Sequence, residues 1–119
     1  MSTVAEAESF VGPGGLRVIL RRIEGTPAIA TCLHIPVGCR NEPLSGIAHL
    51  AEHLLGSPVS LGENSTNAVF AMGGRANART SLDYTQFTHI LPRRGLGLAI
   101  ERELDRVTLR LMQNWFFAE

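Results

Sequence analysis

The spacing of apolar residues between Leu96 and Met112 constrains the fold of this chain more than any other feature of its sequence. These residues recur at intervals of three or four, which only an α-helix brings onto one face. They are Leu96, Ile100, Leu104, Val107 and Leu111. Arg102, Arg106 and Arg110 line another face. The sequence therefore predicts a long amphipathic helix over residues 96–112.

Strand-like stretches come before this helix. They alternate in polarity or carry β-branched and aromatic residues, and they cover residues 16–23, 29–37, 76–81 and 84–91. The turn Pro13-Gly14-Gly15 predicts that Phe10 and Val11 pair with the first of them as a hairpin.

Two shorter helices are predicted between the strands, over residues 47–55 and 66–72. Ser45 is the expected N-cap of the first, and Gly56 its end. Strands and helices in this order favour an α+β fold, in which helices pack on one face of a mainly antiparallel sheet.

The charge balance excludes two classes of function. Eleven Arg, with no Lys, balance eleven acidic residues, whereas binding to nucleic acid or to an anionic membrane surface needs a positive surplus. The N-terminal stretch lacks the features of a secretory signal, and no run approaches the ~18 apolar residues of a membrane span. We therefore expect a soluble, cytoplasmic protein that binds neither nucleic acid nor membrane. Cys32 and Cys39 could form one disulfide, but two free thiols in a reducing compartment are favoured.

One short motif carries chemistry, namely His49-x-x-Glu52-His53 in the first predicted helix. At 100° per residue, His53 lies about 40° round the helix from His49, and Glu52 lies about 60° to the other side. Two imidazoles at positions i and i+4 can meet one Zn²⁺, and the Glu can take a proton from a metal-bound water. The alternative is a pair of surface histidines with a Glu contact. The pattern arises by chance in only about one of 100 such chains, which favours the metal site over this alternative.

The sequence around this motif resembles the pitrilysin/insulinase family of zinc metallopeptidases, which includes mitochondrial processing peptidase. His-x-x-Glu-His is the inverted zinc-peptidase motif. Segments similar to family motifs follow in the family's order, and they cover residues 14–18, 37–42, 46–49, 73–80, 83–87 and 91–92. The resemblance spans about residues 10–117.

The resemblance implies a role for each matching residue. His49 and His53 would bind Zn²⁺, and Glu52 would be the general base for attack on a peptide carbonyl. The segment Ala76-Asn77-Ala78 would lie on an edge strand that binds a peptide or an unfolded polypeptide through backbone hydrogen bonds. His34 and His89, each alone in a strand, are expected to be ordinary core or edge histidines.

The family's third zinc ligand is a Glu on a later helix, and the sequence is expected to stop just short of it. Glu101, Glu103 and Glu119 are the local substitutes, and none is favoured. We expect residues 1–9 to be a polar lead-in and residues 10–119 to be the N-terminal portion of a metallopeptidase domain, truncated before the third-ligand helix. The family's second homologous half, as a domain or a subunit, would be a partner.

Two functions from different classes remain open at this point. One is a zinc-dependent metalloendopeptidase of bacterial type, of which this chain is the metal-helix portion. The other is a non-catalytic peptide-binding or partner subunit of the same fold. The intact Glu52 favours the first, and the missing third ligand favours the second.

Overall fold

The computed structural model describes residues 6–56 and 65–108 of the chain. Its strands are β1 (Ala7–Val11), β2 (Arg17–Arg21), β3 (Ala28–Ile35), β4 (Arg75–Thr80) and β5 (Thr85–Pro92). Its helices are α1 (Ile47–Gly56), α2 (Ser65–Ala71) and α3 (Leu96–Val107). Each predicted strand and helix overlaps one of these. The predicted helix 96–112 is confirmed as far as Val107, and its last residues lie outside the described range.

The main sheet is antiparallel, with its strands in the order β3-β5-β4. Leu33 on β3 and Ala78 on β4 both lie opposite Phe87 of the central strand. Burial alternates along β5, and its fully buried residues are Thr85, Phe87, His89 and Leu91. The same alternation on β4 leaves Arg75, Asn77 and Arg79 exposed, so one face of the sheet is covered and the other is open.

All three helices contact the covered side of this sheet: α1 lies against β4 and β5, α2 against β4, and α3 against β3 and β5. The buried core joins one residue from each of three elements, namely Val69 of α2, Leu91 of β5 and Ala99 of α3. Apolar contacts that link two helices to the central strand are the main stabilising force of such a layer. The predicted α+β class, with helices on one face of an antiparallel sheet, is confirmed.

The hairpin at the N-terminus pairs β1 with β2, from Ala7 opposite Arg21 to Val11 opposite Arg17. Its turn needs glycine, because Gly14 and Gly15 have φ angles of 79° and 81°, in the left-handed region. The predicted hairpin is present. It begins at Ala7, so residues 7–9 of the expected lead-in form part of β1.

The segment between β3 and α1 crosses to the turn between β4 and β5. Its backbone N–H groups at Cys39 and Arg40 donate to the carbonyl oxygens of Ser81 and Leu82 at 2.9 and 2.8 Å. Gly38 permits this approach, because a Cβ there would lie 2.7 Å from the carbonyl carbon of Leu82. The contact brings the start of α1 beside the end of β4.

Within the described residues, none of the helices is long and apolar enough to cross a lipid bilayer.

Candidate metal centre

The N-terminus of α1 is capped by Glu42. Its carboxylate accepts the backbone N–H of Gly46 at 2.7 Å and that of Ala48 at 2.8 Å. These two bonds, that of Ala48 first, lower the pKa of Glu42 below its ordinary value. The sequence favoured Ser45 as the cap, because short side chains directly before a helix usually fill that place. Glu42 accepts from Ala48, which such a cap could also bind, although it lies three residues before Ser45.

Helix α1 has one side packed against the protein and one side exposed to solvent. Ala48 is buried, and Leu54 and Leu55 are half-buried, whereas His49 and His53 are exposed to solvent. A small or apolar residue on the inner side and imidazoles on the outer side give the helix a packed face and a face open to solvent. The two histidines are therefore accessible from outside the protein.

The ring nitrogens of these histidines converge on one point. Nε2 of His49 lies 3.0 Å from Nε2 of His53, and the ring centroids are 4.6 Å apart. Two nitrogens bound to one tetrahedral Zn²⁺ at ~2.0–2.1 Å would be about 3.3 Å apart. Imidazole nitrogen is also a preferred zinc donor, so this pair fits the metal in both spacing and chemistry.

Glu52 lies on the same helix and is half-buried. Its Oε2 accepts a hydrogen bond of 2.7 Å from Oγ1 of Thr80, the last residue of β4. Sequence analysis assigns Thr80 no role of its own, although Thr80 belongs to a segment that resembles a family motif. Spacing along the chain could not reveal this contact, because it joins residues 28 positions apart on different elements.

Among the described residues, His49 and His53 have no third His, Cys, Asp or Glu beside them that would complete a metal-binding group. Glu101 is exposed on α3. Glu103 is bound elsewhere, since its Oε1 lies 2.7 Å from Nδ1 of His89. Glu119 lies outside the described residues.

The predicted peptide-binding segment lies on β4, which is an edge of the three-stranded sheet. Ala76 packs against the apolar core, and Cβ of Ala78 lies near Gly56 at the end of α1. Asn77 is exposed on the open face of the sheet. The two alanines turn their side chains inward, so an added strand would meet them through their backbone groups.

His34 and His89 have ordinary surroundings, as predicted. His34 is exposed, and its Nδ1 lies 3.1 Å from Nε2 of Gln86. His89 is buried and paired with Glu103. Cys32 is exposed and Cys39 is half-buried, and no disulfide joins them.

Comparison with known proteins identifies relatives of this fold. An uncharacterized zinc protease of Streptomyces coelicolor is 32% identical over 106 residues, which are 86% of this chain and 23% of that protein. A protease from Helicobacter pylori superposes with a TM-score of 0.74 at 32% identity, covering 84% of this chain and 25% of its own. Pitrilysin shares the fold, with a TM-score of 0.77 at 22% identity, over 89% of this chain and 12% of its own.

The chain thus spans about a quarter of the length of the first two of these relatives. Residues 17–119 match the family described as insulinase, peptidase family M16. With the α+β fold and the structural similarity to pitrilysin, this match shows that the chain belongs to the insulinase family of peptidases.

Proposed function

We propose that this chain is the metal-helix portion of a zinc-dependent metalloendopeptidase, with His49 and His53 as zinc ligands and Glu52 as general base. The observation that carries the proposal is the 3.0 Å separation of the two Nε2 atoms on the helix that also bears Glu52. The relative in Streptomyces coelicolor is named a zinc protease, which supports the choice of metal.

Zinc, Glu52 and Thr80 would each have a separate part in the proposed reaction. Zinc, when bound, lowers the pKa of a water molecule to ~7 and polarises the peptide carbonyl. Thr80 occupies Oε2 of Glu52, which leaves Oε1 to accept a proton from the attacking water and to deliver it to the leaving amine. The exposed position of both histidines gives a polypeptide access to the site.

We further propose that a peptide or an unfolded polypeptide adds to the sheet at β4, along Ala76, Asn77 and Ala78. An edge strand carries unpaired backbone N–H and C=O groups, which bind an extended chain with little regard to its side chains. The contact of Thr80 with Glu52 places the end of this strand at the candidate base. A peptide bound along β4 would therefore run towards α1.

The remaining parts of the machinery are proposed to come from outside this chain. The third zinc ligand and a second homologous domain or subunit would be supplied by the rest of a longer protein or by a partner. The chain spans 23% of its Streptomyces relative, which leaves room for both. We accordingly expect the chain alone to bind zinc weakly and to turn over slowly.

The test compares the unmodified chain with Glu52→Gln and His49→Ala. Zinc binding is measured by calorimetric titration, and cleavage is followed with a flexible fluorogenic peptide. We expect Glu52→Gln to keep the zinc affinity and lose all cleavage, and His49→Ala to lose both. Full cleavage by Glu52→Gln would disprove the assignment of the base.

A second function, that of a non-catalytic peptide-binding or partner subunit, is favoured by one observation. Within the described residues, no third ligand stands beside the two histidines. This function requires that the peptide bind without cleavage in the presence of zinc, and that Glu52→Gln leave the binding unchanged. Zinc-dependent cleavage that disappears in Glu52→Gln would eliminate it.

A further inference from the structure

A buried polar chain runs from the central strand to the metal helix. Its first member is His89 on β5, which is 3% exposed and lies with Nδ1 2.7 Å from Oε1 of Glu103 on α3. Arg106, 6% exposed, donates from Nη1 to the same carboxylate oxygen at 2.8 Å. Its Nε donates to the carbonyl oxygen of Leu55 at 3.2 Å.

The contact between Arg106 and Leu55 lies at the C-terminal end of α1, where backbone carbonyl groups need hydrogen-bond donors. Leu55 is the next-to-last residue of α1, and carbonyl groups in the last turn of a helix lack partners within it. A cation there also interacts favourably with the negative end of the helix dipole. The guanidinium of Arg106, on α3, supplies both the hydrogen-bond donor and the positive charge.

Two contacts besides the one with Leu55 fix the place of Arg106. Glu103 holds one end of the guanidinium, and the ring of Phe87 lies 4.7 Å below Cζ. His89 in turn holds Glu103 from the central strand. Oε1 of Glu103 therefore has two nitrogen neighbours, Nδ1 of His89 and Nη1 of Arg106.

Apolar residues could fill this space without the cost of removing charges from water. What they could not supply is a directional bond to one carbonyl of α1. The turn that ends at Leu55 includes Glu52 and His53, and a ten-residue helix holds its last turn only weakly by itself.

From this geometry we propose that Arg106, held by Glu103 and His89, is a positioning residue for the metal centre. It fastens the last turn of α1 to the sheet and so keeps His53 within reach of the metal that His49 binds. This inference rests on the zinc centre proposed above. Arg106 contacts neither metal nor substrate and acts only through Leu55.

The test uses Arg106→Gln, with Arg102→Gln as the matched control. Arg102 lies on the same helix and loses the same charge, but its partner is Asp105 at 3.7 Å. We expect amide exchange in the last turn of α1 to rise about tenfold in Arg106→Gln and to stay unchanged in Arg102→Gln. Zinc affinity should fall at least about threefold in Arg106→Gln alone, because only molecules with the last turn formed present both nitrogens.

A second control separates positioning from general stability. Val69→Ala opens a cavity in the core cluster on α2 and lowers overall stability, but it should leave the zinc affinity unchanged. If Arg106→Gln does not fold, Arg106→Lys replaces it, because a single ammonium lacks the fork that reaches both Glu103 and Leu55. It should show the same changes at smaller size.

Three results would overturn the inference: unchanged amide exchange in α1, unchanged zinc affinity despite faster exchange, or an equal loss of zinc affinity in Val69→Ala. An unmodified chain that binds no zinc at all would contradict the proposed metal centre and with it the positioning role. In that case the exchange experiment would still show whether Arg106 holds α1, so the two failures are distinguishable.

Discussion

Thr80 donates a hydrogen bond of 2.7 Å from Oγ1 to Oε2 of Glu52, which joins the end of β4 to α1. A carboxylate held through one oxygen presents the other in a defined direction. We expect Thr80→Val, which removes the hydroxyl and keeps the shape, to lower kcat for a flexible peptide about tenfold. KM and zinc content should not change, because the hydroxyl of Thr80 bonds Glu52 and, among the described residues, neither histidine.

Thr80→Ser is the control, since serine keeps a hydroxyl at the same position. Steady-state kinetics of both variants decide the matter. Equal kcat values for Thr80→Val and Thr80→Ser would show that the hydroxyl does not orient Glu52.

Glu42 should make stability depend on pH. Its pKa is lowered in the folded protein by the N–H groups of Ala48 and Gly46, and the ordinary value is 4.5. A carboxylate with a lowered pKa stabilises the fold above its unfolded pKa, and this contribution is lost as the pH falls through the folded pKa. We therefore expect Glu42→Gln to unfold at a lower urea concentration than the unmodified chain near neutral pH.

The two urea curves should converge once the pH falls below the folded pKa of Glu42. Glu24→Gln serves as the control, because Glu24 is largely exposed and lies 3.8 Å from Arg22 in a surface pair. A difference between the unmodified chain and Glu42→Gln that persists in acid would contradict the role of the charged cap.

Two glycines should respond to alanine in opposite directions. At Gly38 a Cβ would lie 2.7 Å from backbone atoms of Leu82 and Asp83, so the strand turn must move. We expect Gly38→Ala to lower the free energy of unfolding by about 1–3 kcal/mol.

Gly97, inside α3, has open space where a Cβ would stand. Alanine loses less conformational freedom than glycine on entering a helix, so Gly97→Ala should raise stability by about 0.5–1 kcal/mol. Thermal unfolding of both variants measures the two effects. A Gly38→Ala protein as stable as the unmodified chain would contradict the requirement for glycine at this backbone contact.

Zinc should stabilise the folded chain through His49 and His53. A ligand at ten times its dissociation constant adds about 1.4 kcal/mol to the free energy of unfolding, and EDTA should reverse the effect. His49→Ala should abolish it. His34→Ala should retain it, because His34 lies on the sheet beside Gln86. An equal shift of the melting temperature in both variants would mean that zinc binds elsewhere.

Sequence periodicity predicted which elements form, and it did so because each pattern reflects local geometry. The helical repeat of Leu96, Ile100 and Leu104 located α3 correctly, yet these side chains are 46–49% exposed. The residues that α3 buries are Ala99 and Arg106. Ala99 is small enough to lie against the core, and Arg106 finds an acceptor in Leu55, so contacts with distant elements decide which face turns inward.

Part of the candidate site could be predicted from the sequence and part could not. The pairing of His49 with His53 follows from one helical turn and was predictable. The partners of that turn, namely Glu42, Thr80 and Arg106, come from three other segments. Glu42 lies in a segment that resembles the family, but no local pattern signals its reach to Ala48, and Arg106 looks like a solvent-facing charge until the packing of α3 is known.

The contact between the two histidines lies within α1, whereas the contact between Glu52 and Thr80 joins α1 to β4. The distance between the ring nitrogens of His49 and His53 belongs to one helix, whereas the distance from Glu52 to Thr80 spans 28 residues and two elements. A displacement that moves α1 as a whole relative to β4 would change the second distance and leave the first intact. A protein could therefore be fully loaded with metal and still be misaligned, so metal occupancy alone would not measure the readiness of the site.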